Sequence, residues 1–449
     1  MLLTRYNTVY DPPFSPGRLQ GLRLWLDAAQ SPITLTAGMA AQFALATSEY
    51  LSQAGTAALL GGTTWWRSIW FYLDTTTTAQ TLFATRNTND GMSLVTGAAG
   101  TDVSLVVGNG TGVATATFTI SLSTATWYHA YVEFDGTNIG ISIDNGTIVQ
   151  QALGGAFSAG AGGLNVGANL TPLLFVDGRL QCFFGANGVL TTAQRTTNYN
   201  AGVPLSYAQS LTSGITPLFA YELDEPSGTR VDLVSAANLT DNNTVTTSAG
   251  TCLNAVSQWN DLSGMGNHAT QATQANKPRY RVSILNGLPV LRLDATDDRL
   301  DTSLASQAQP FYALAVVKQT NKTATSTILD STGGGATRAN LVLNTSGRVS
   351  MFAGSAITEA ANDHSGAFRI IDAMFNTTGS EAFVDGTSVV TGNVGTSSWA
   401  NLRVGASSAA ASVLDGDIHA VVLLNRLPSS SERQKLRNYY SRRTGIAVA

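Results

Sequence analysis

Charge is scarce in this chain. Only 12% of its 449 residues are Asp, Glu, Lys or Arg, about half the share usual in globular proteins. Lysine is rarest, with four, at Lys277, Lys318, Lys322 and Lys435. A net charge of −4 supplies no concentrated basic face, which argues against a nucleic-acid grip. Two cysteines, Cys182 and Cys252, cannot build a disulfide scaffold and read as free thiols. No run approaches the roughly 18 uninterrupted apolar residues of a membrane helix. No apolar core follows Met1-Leu2-Leu3-Thr4-Arg5, so no secretory signal is visible. The expectation is a soluble product that stays in the cell or leaves it by lysis or a dedicated apparatus.

In place of charge stand 44 Gly and many Thr and Ser, beside 43% hydrophobic residues, enough to bury cores. Strand patterns dominate. Trp127-Tyr128-His129-Ala130-Tyr131-Val132-Glu133-Phe134 is aromatic and β-branched and stops at Asp135-Gly136. Ile139 to Ile143 alternates with period two and stops at Asp144-Asn145-Gly146, a favoured hairpin turn. Arg179–184 and 419–424 read as buried strands. Capping boxes start two helical turns, Thr191 with Gln194 (191–200) and Ser429 with Glu432 (429–442). The predicted class is all-β, a sandwich or barrel.

Self-comparison shows a repeat. Asn165-Val166-Gly167-Ala168 followed by Asp177-Gly178 and a strand matches Arg403-Val404-Gly405-Ala406 followed by Asp415-Gly416 and a strand. Leu24-Trp25-Leu26-Asp27 pairs with Tyr221-Glu222-Leu223-Asp224, and Gln42-Phe43-Ala44 with Arg292-Leu293-Asp294. The opening Leu24-to-Asp27 strand, Trp259-Asn260-Asp261-Leu262-Ser263-Gly264, Gly287-Leu288-Pro289-Val290, Asp385-Gly386 and Asp415-Gly416-Asp417-Ile418 resemble laminin-G-like jelly rolls of the concanavalin-A-like lectin/glucanase superfamily, as in phage and bacterial surface proteins. The resemblance covers most of residues 20–449 and implies two β-sandwich jelly rolls. Piece order implies nesting: an extended arm, 1–16, with Pro12, Pro13 and Pro16; one roll from 17–36 plus 251–449; and a circularly permuted roll, 37–250, inserted in it. The alternative is plain tandem, 18–210 and 217–449.

Chemistry is mostly missing. The four histidines, His129, His268, His364 and His419, show no zinc spacing. There is no nucleophile elbow, phosphate loop or dinucleotide fingerprint. A glucanase of this superfamily would align two Glu and an Asp on one strand. The nearest run, Glu222-Leu223-Asp224-Glu225-Pro226, puts Glu225 on the opposite face, so these read as strand-end and turn carboxylates and no catalytic residue is expected. The resemblance implies calcium as a possible ion, with Asp294, Asp297, Asp298 and Asp301 as ligands. The other copy has Ala44, Ser48 and Ser52 at three of those places. Sugar stacking would fall to Trp65, Trp66 and Trp399, which packing explains equally.

Two functions follow as expectations. One is a non-enzymatic structural and adhesion protein of a bacteriophage virion: a head decoration, tail or fibre component at the virion surface. Its partners would be other virion proteins, further copies of itself, or cell-surface glycans. The other is a secreted, extracellular carbohydrate-binding lectin, with a glycoside hydrolase third.

Overall fold

The computed structural model describes residues 14–55, 61–160, 162–333 and 338–449. The chain forms two compact units: Met1–Leu35 with Val256–Ala449, and Thr36–Ala255. Both crossings fall inside strands, Ile33–Phe43 and Thr246–Trp259. Among the described residues no helix is long and apolar enough to cross a membrane.

In the first unit one antiparallel layer runs, neighbour to neighbour, Leu22–Asp27, Asp415–Leu424, Phe311–Gln319, Arg369–Phe375, Ser380–Val384 and Thr387–Gly392. Leu24 stands opposite Leu423 and Leu26 opposite Val421. The other layer runs Ala356–Thr358, Val349–Phe352, Asn340–Leu343, Ser326–Ser331, Leu402–Val404, Leu300–Asp301 and Ala269–Thr270. Leu24, Trp259, Phe311, Phe375 and Val421 meet in the core between them. The first layer is buried on its other face too, where Trp25, Tyr312 and Val422 pack against Leu436 and Tyr440 of the helix Ser430–Thr444. Burial on both faces is why 419–424 is apolar at every position but His419 rather than alternating.

The second unit repeats this plan strand by strand. Its layers run Val149–Ala152, Asn138–Ile143, Trp127–Phe134, Trp65–Leu73, Gly178–Asn187 and Phe219–Tyr221, and Val113–Thr119, Asp102–Gly108, Met92–Thr96, Gln80–Ala84, Leu164–Val166, Tyr50–Gln53 and Thr240–Asn242. Phe219–Tyr221 borders Gly178–Asn187 as Leu22–Asp27 borders Asp415–Leu424. The strand that opens the first unit therefore has its counterpart near the end of the second.

Matching hydrogen bonds carry the repeat. Gly167 N donates to the Leu82 carbonyl at 2.9 Å and Gly405 N to that of Ile328 at 3.0 Å. Both glycines have φ 89°, a left-handed conformation that excludes most side chains. Asp144 accepts from His129 N, and Asp385 from Ile370 N, each at 2.8 Å. Asp144-Asn145 and Asp385-Gly386 all have positive φ, as a two-residue hairpin turn demands.

Both capping boxes are present, opening the helices Thr192–Tyr199 and Ser430–Thr444. A further helix, Tyr207–Thr212, escaped the sequence reading although Ser206 and Gln209 give it the same signature. Most of the arm, residues 1–13, lies outside the described residues. At its end Ser15 has extended backbone, and the buried Pro16 starts a 3-10 turn, Pro16–Arg18.

Candidate functional site

The three tryptophans expected to stack on sugar cannot do so. Trp65 is 0% exposed, in edge contact with Phe157. Trp66 does point away from that core, as its position in the strand requires. That side is covered as well, by Tyr131, Phe184 and Leu205, and Trp66 is 2% exposed. Trp399 is stacked on Phe311 and gives its indole N–H to the Ala339 carbonyl. A run of strand residues reveals alternation but not what lies on the second face.

Glu222 and Asp224 follow the end of the strand Phe219–Tyr221. Both are buried, and the Asn254 side-chain amide donates to both, reaching Asp224 Oδ2 at 2.6 Å, while Tyr207 N donates to Glu222 Oε1 at 2.8 Å. His129 is likewise sealed, its pKa lowered to about 3 by burial, with Nε2 3.2 Å from the Asn198 amide. In the Trp-x-Asp-x-Ser-Gly segment, Asp261 accepts from Trp25 N at 2.9 Å and Ser263 N at 2.8 Å, so the motif ties its loop to the opening strand.

The acidic cluster divides. Ligand oxygens of Asp294, Asp297 and Asp298 lie within 4.8 Å of one another. Asp298 is buried and its Oδ1 has no hydrogen-bond partner. Burial pushes its carboxyl well above the usual range, Arg279 opposes this, and Asp294 and Asp297 add to it. Asp301 does not join them. Its carboxylate is taken by Arg403, Nε to Oδ1 at 2.6 Å and Nη2 to Oδ2 at 3.0 Å. An Asp three residues past Asp298 looks equivalent in sequence, but the Arg that claims it lies 102 residues away.

One pocket was not foreseen. In the second unit, Thr81, Ala84, Ser93, Val95 and Val106 form the floor of a cavity of about 640 Å³. Register brings them together: Thr81 opposes Val95, Ala84 opposes Ser93, and Ser93 opposes Val106. Their neighbours Leu82, Leu94 and Leu105 point into the core. Arg86, Asn87 and Thr88 form one wall, and Asn169, Leu170, Thr171 and Leu174 another. The size suits a small ligand. Arg86 is the only charged residue in the lining. It makes no hydrogen bond or ion pair among the described residues; its Nε is buried without a partner, as is Thr81 Oγ1.

The first unit differs at the equivalent place. Where the second has Ala84, the repeat places Asp330, which forms an ion pair with Arg338 at 3.1 Å. Ser408 N also donates to Asp330 Oδ2 at 2.8 Å. With alanine at that position the space stays open and Arg86 stays without a counter-charge.

No family model and no curated protein matches this chain. Solved structures do. A protein of Bacteroides ovatus, provisionally named for carbohydrate binding, is similar at 17% identity and a TM-score of 0.37, over 49% of this chain and 62% of that one. Domains LG4-5 of the mouse laminin α1 chain are similar at 13% identity and a TM-score of 0.29, over 89% and 94%. A carbohydrate-binding module of a Ruminococcus gnavus sialidase, bound to α2,3-sialyllactose, is similar at 14% identity and a TM-score of 0.23, over 28% and 82%. Laminin G domains stand among these structures, while the jelly-roll assignment rests on this chain's own strand order.

Proposed function

We propose that this protein is a non-enzymatic adhesion protein that attaches to glycans through the pocket floored by Thr81, Ala84 and Ser93. The observation that carries this is Arg86, an uncompensated guanidinium in a pocket otherwise lined by hydroxyls, amides and short apolar side chains. Hydroxyls and amides suit sugar hydroxyl groups, and a guanidinium with free donors suits a carboxylate or sulfate on an acidic sugar. A glycan array with the purified chain tests it. Binding to acidic glycans, lost in Arg86→Ala, is the expected result; an array with no signal from the wild-type protein overturns it.

The finer reading is a bacteriophage virion surface, as a head decoration, tail or fibre component, with other virion proteins or copies of itself as partners. Low charge and turn-rich strands support it, since such a chain is mostly scaffold and little chemistry. Mass spectrometry of purified particles tests it: a stoichiometric band supports the virion, and its absence leaves a secreted lectin with the same pocket. The inserted unit, 37–250, is on this reading a circularly permuted copy of its host.

Calcium belongs to the proposal for the first unit. Three carboxylates with a buried, unpartnered oxygen are a hard-oxygen donor set, and a divalent cation would relieve their mutual repulsion. Asp294, Asp297 and Asp298 would hold it, with Asp301 left to Arg403.

A further inference from the structure

The two cysteines are neighbours. Cys182 lies in the strand Gly178–Asn187 and Cys252 in Thr246–Trp259, both within the second unit. Side chains one residue earlier lock the two segments together. Thr251 N donates to Gln181 Oε1 at 3.0 Å, and Gln181 Nε2 donates to Thr251 Oγ1 at 3.1 Å. Beyond that clasp the thiols of Cys182 and Cys252 are hydrogen-bonded to each other. They are 2% and 0% exposed, in one apolar cluster with Trp70, Phe184, Ile215 and Ala220.

The backbone at Cys182 is unusual. Its φ is +49°, in the left-handed region that side chains other than Gly, Asn and Asp seldom adopt. It falls where the strand breaks register with Trp65–Leu73, between Gln181 and Phe184. The break is what turns this side chain toward the segment carrying Cys252.

We propose that Cys182 and Cys252 form a buried disulfide when the chain folds under oxidising conditions, stapling the inserted unit where its last strand leaves it. The chemistry needs an oxidant, and a small disulfide such as oxidised glutathione suffices. One cysteine thiolate attacks it, forming a mixed disulfide and releasing a glutathione thiolate. The second cysteine then attacks the protein-bound sulfur, closing the Sγ–Sγ bond and releasing a second glutathione. Two electrons pass from the protein sulfurs to glutathione, and the two thiol protons go to solvent and the departing thiolates.

Burial sets the order of events. It raises the Cys252 thiol well above its ordinary pKa, so the folded, reduced protein holds almost no thiolate and exchanges slowly. The bond forms while the strands are docking. Once formed it is shielded from reductant. The loop it closes equals the 70 residues separating Gln181 from Thr251, long enough for a marked stabilising effect.

The full chain is unfolded and reduced, then refolded in a mixture of reduced and oxidised glutathione. It is quenched with acid, unfolded again and alkylated with N-ethylmaleimide before mass spectrometry. The expected product carries no alkyl group and yields one peptide pair joined at Cys182 and Cys252. It melts roughly 5 °C above protein refolded with reductant. That difference vanishes in Cys182→Ser and in Cys252→Ser. Two alkyl groups after oxidative refolding, glutathione retained on either cysteine, or disulfide-linked dimers each overturn the proposal. A native-state control adds a second reading: the oxidised protein should resist dithiothreitol until denaturant is added.

Discussion

Asp372 and Arg437 meet through two parallel 2.8 Å hydrogen bonds, Nε to Oδ1 and Nη2 to Oδ2, with the side chains 0% and 7% exposed. The pair fastens the helix Ser430–Thr444 to the strand Arg369–Phe375. Removing one partner leaves a buried charge alone, so Arg437→Ala should lower the unfolding free energy by about 3–5 kcal/mol in urea titrations. The double replacement Asp372→Leu with Arg437→Met should cost less than the single. Equal or greater loss in the double variant would mean the pair is not what holds the helix.

Gly405 sits against Leu293, and a Cβ built on it would lie 2.0 Å from Leu293 Cδ2. Its φ of 89° adds backbone strain to that overlap. Gly405→Ala should therefore destabilise the first unit by about 2 kcal/mol or more. Gly167→Ala, whose Cβ would meet Phe43 Cε1 at 2.7 Å, should do the same in the second unit. Calorimetry checks both.

His129 gives the pH dependence a sign. Its folded pKa is depressed to about 3 by burial, while the unfolded value is near 6.5. Between those values the unfolded chain binds a proton that the folded one does not. Stability is therefore intact above about pH 6.5 and falls as the solution is acidified, by about 1.4 kcal/mol per pH unit from this group once well below 6.5. His129→Asn should flatten that part of the profile between pH 4.5 and 7.5, measured as the wild-type minus variant difference.

Pocket and ion make one prediction each. Ala84→Asp should place a carboxylate where the first unit has Asp330 and cost at least tenfold in acidic-glycan affinity, as Arg86→Ala should. If Ala84→Asp binds like wild type, the pocket is not the site.

Calcium chloride added to the chelated protein should raise its melting temperature, and Asp298→Asn should abolish the rise. Asp301→Asn should preserve it, because Arg403 already holds that carboxylate. A rise unaffected by Asp298→Asn would place any bound calcium elsewhere.

Periodicity, turn residues and caps made the all-β class, the two jelly rolls and two of the helices legible, because each is set by residues a few positions apart. The Asp144-Asn145 and Asp385-Gly386 turns need only their own φ values, and a capping box needs only residue spacing. The site was not legible in the same way. Trp66 and Trp399 read as candidate ligand platforms until distant segments cover them, and Asp301 reads as a ligand until Arg403 takes its carboxylate. Ala84, Ser93 and Val106 carry no signal at all, yet three strands in register make them a floor. Local sequence determined what each segment becomes, since propensity, alternation and capping act within a turn or a strand. Which faces are covered, which charges are answered and which thiols meet depend on contacts between residues tens to hundreds of positions apart, and only the tertiary structure decided those.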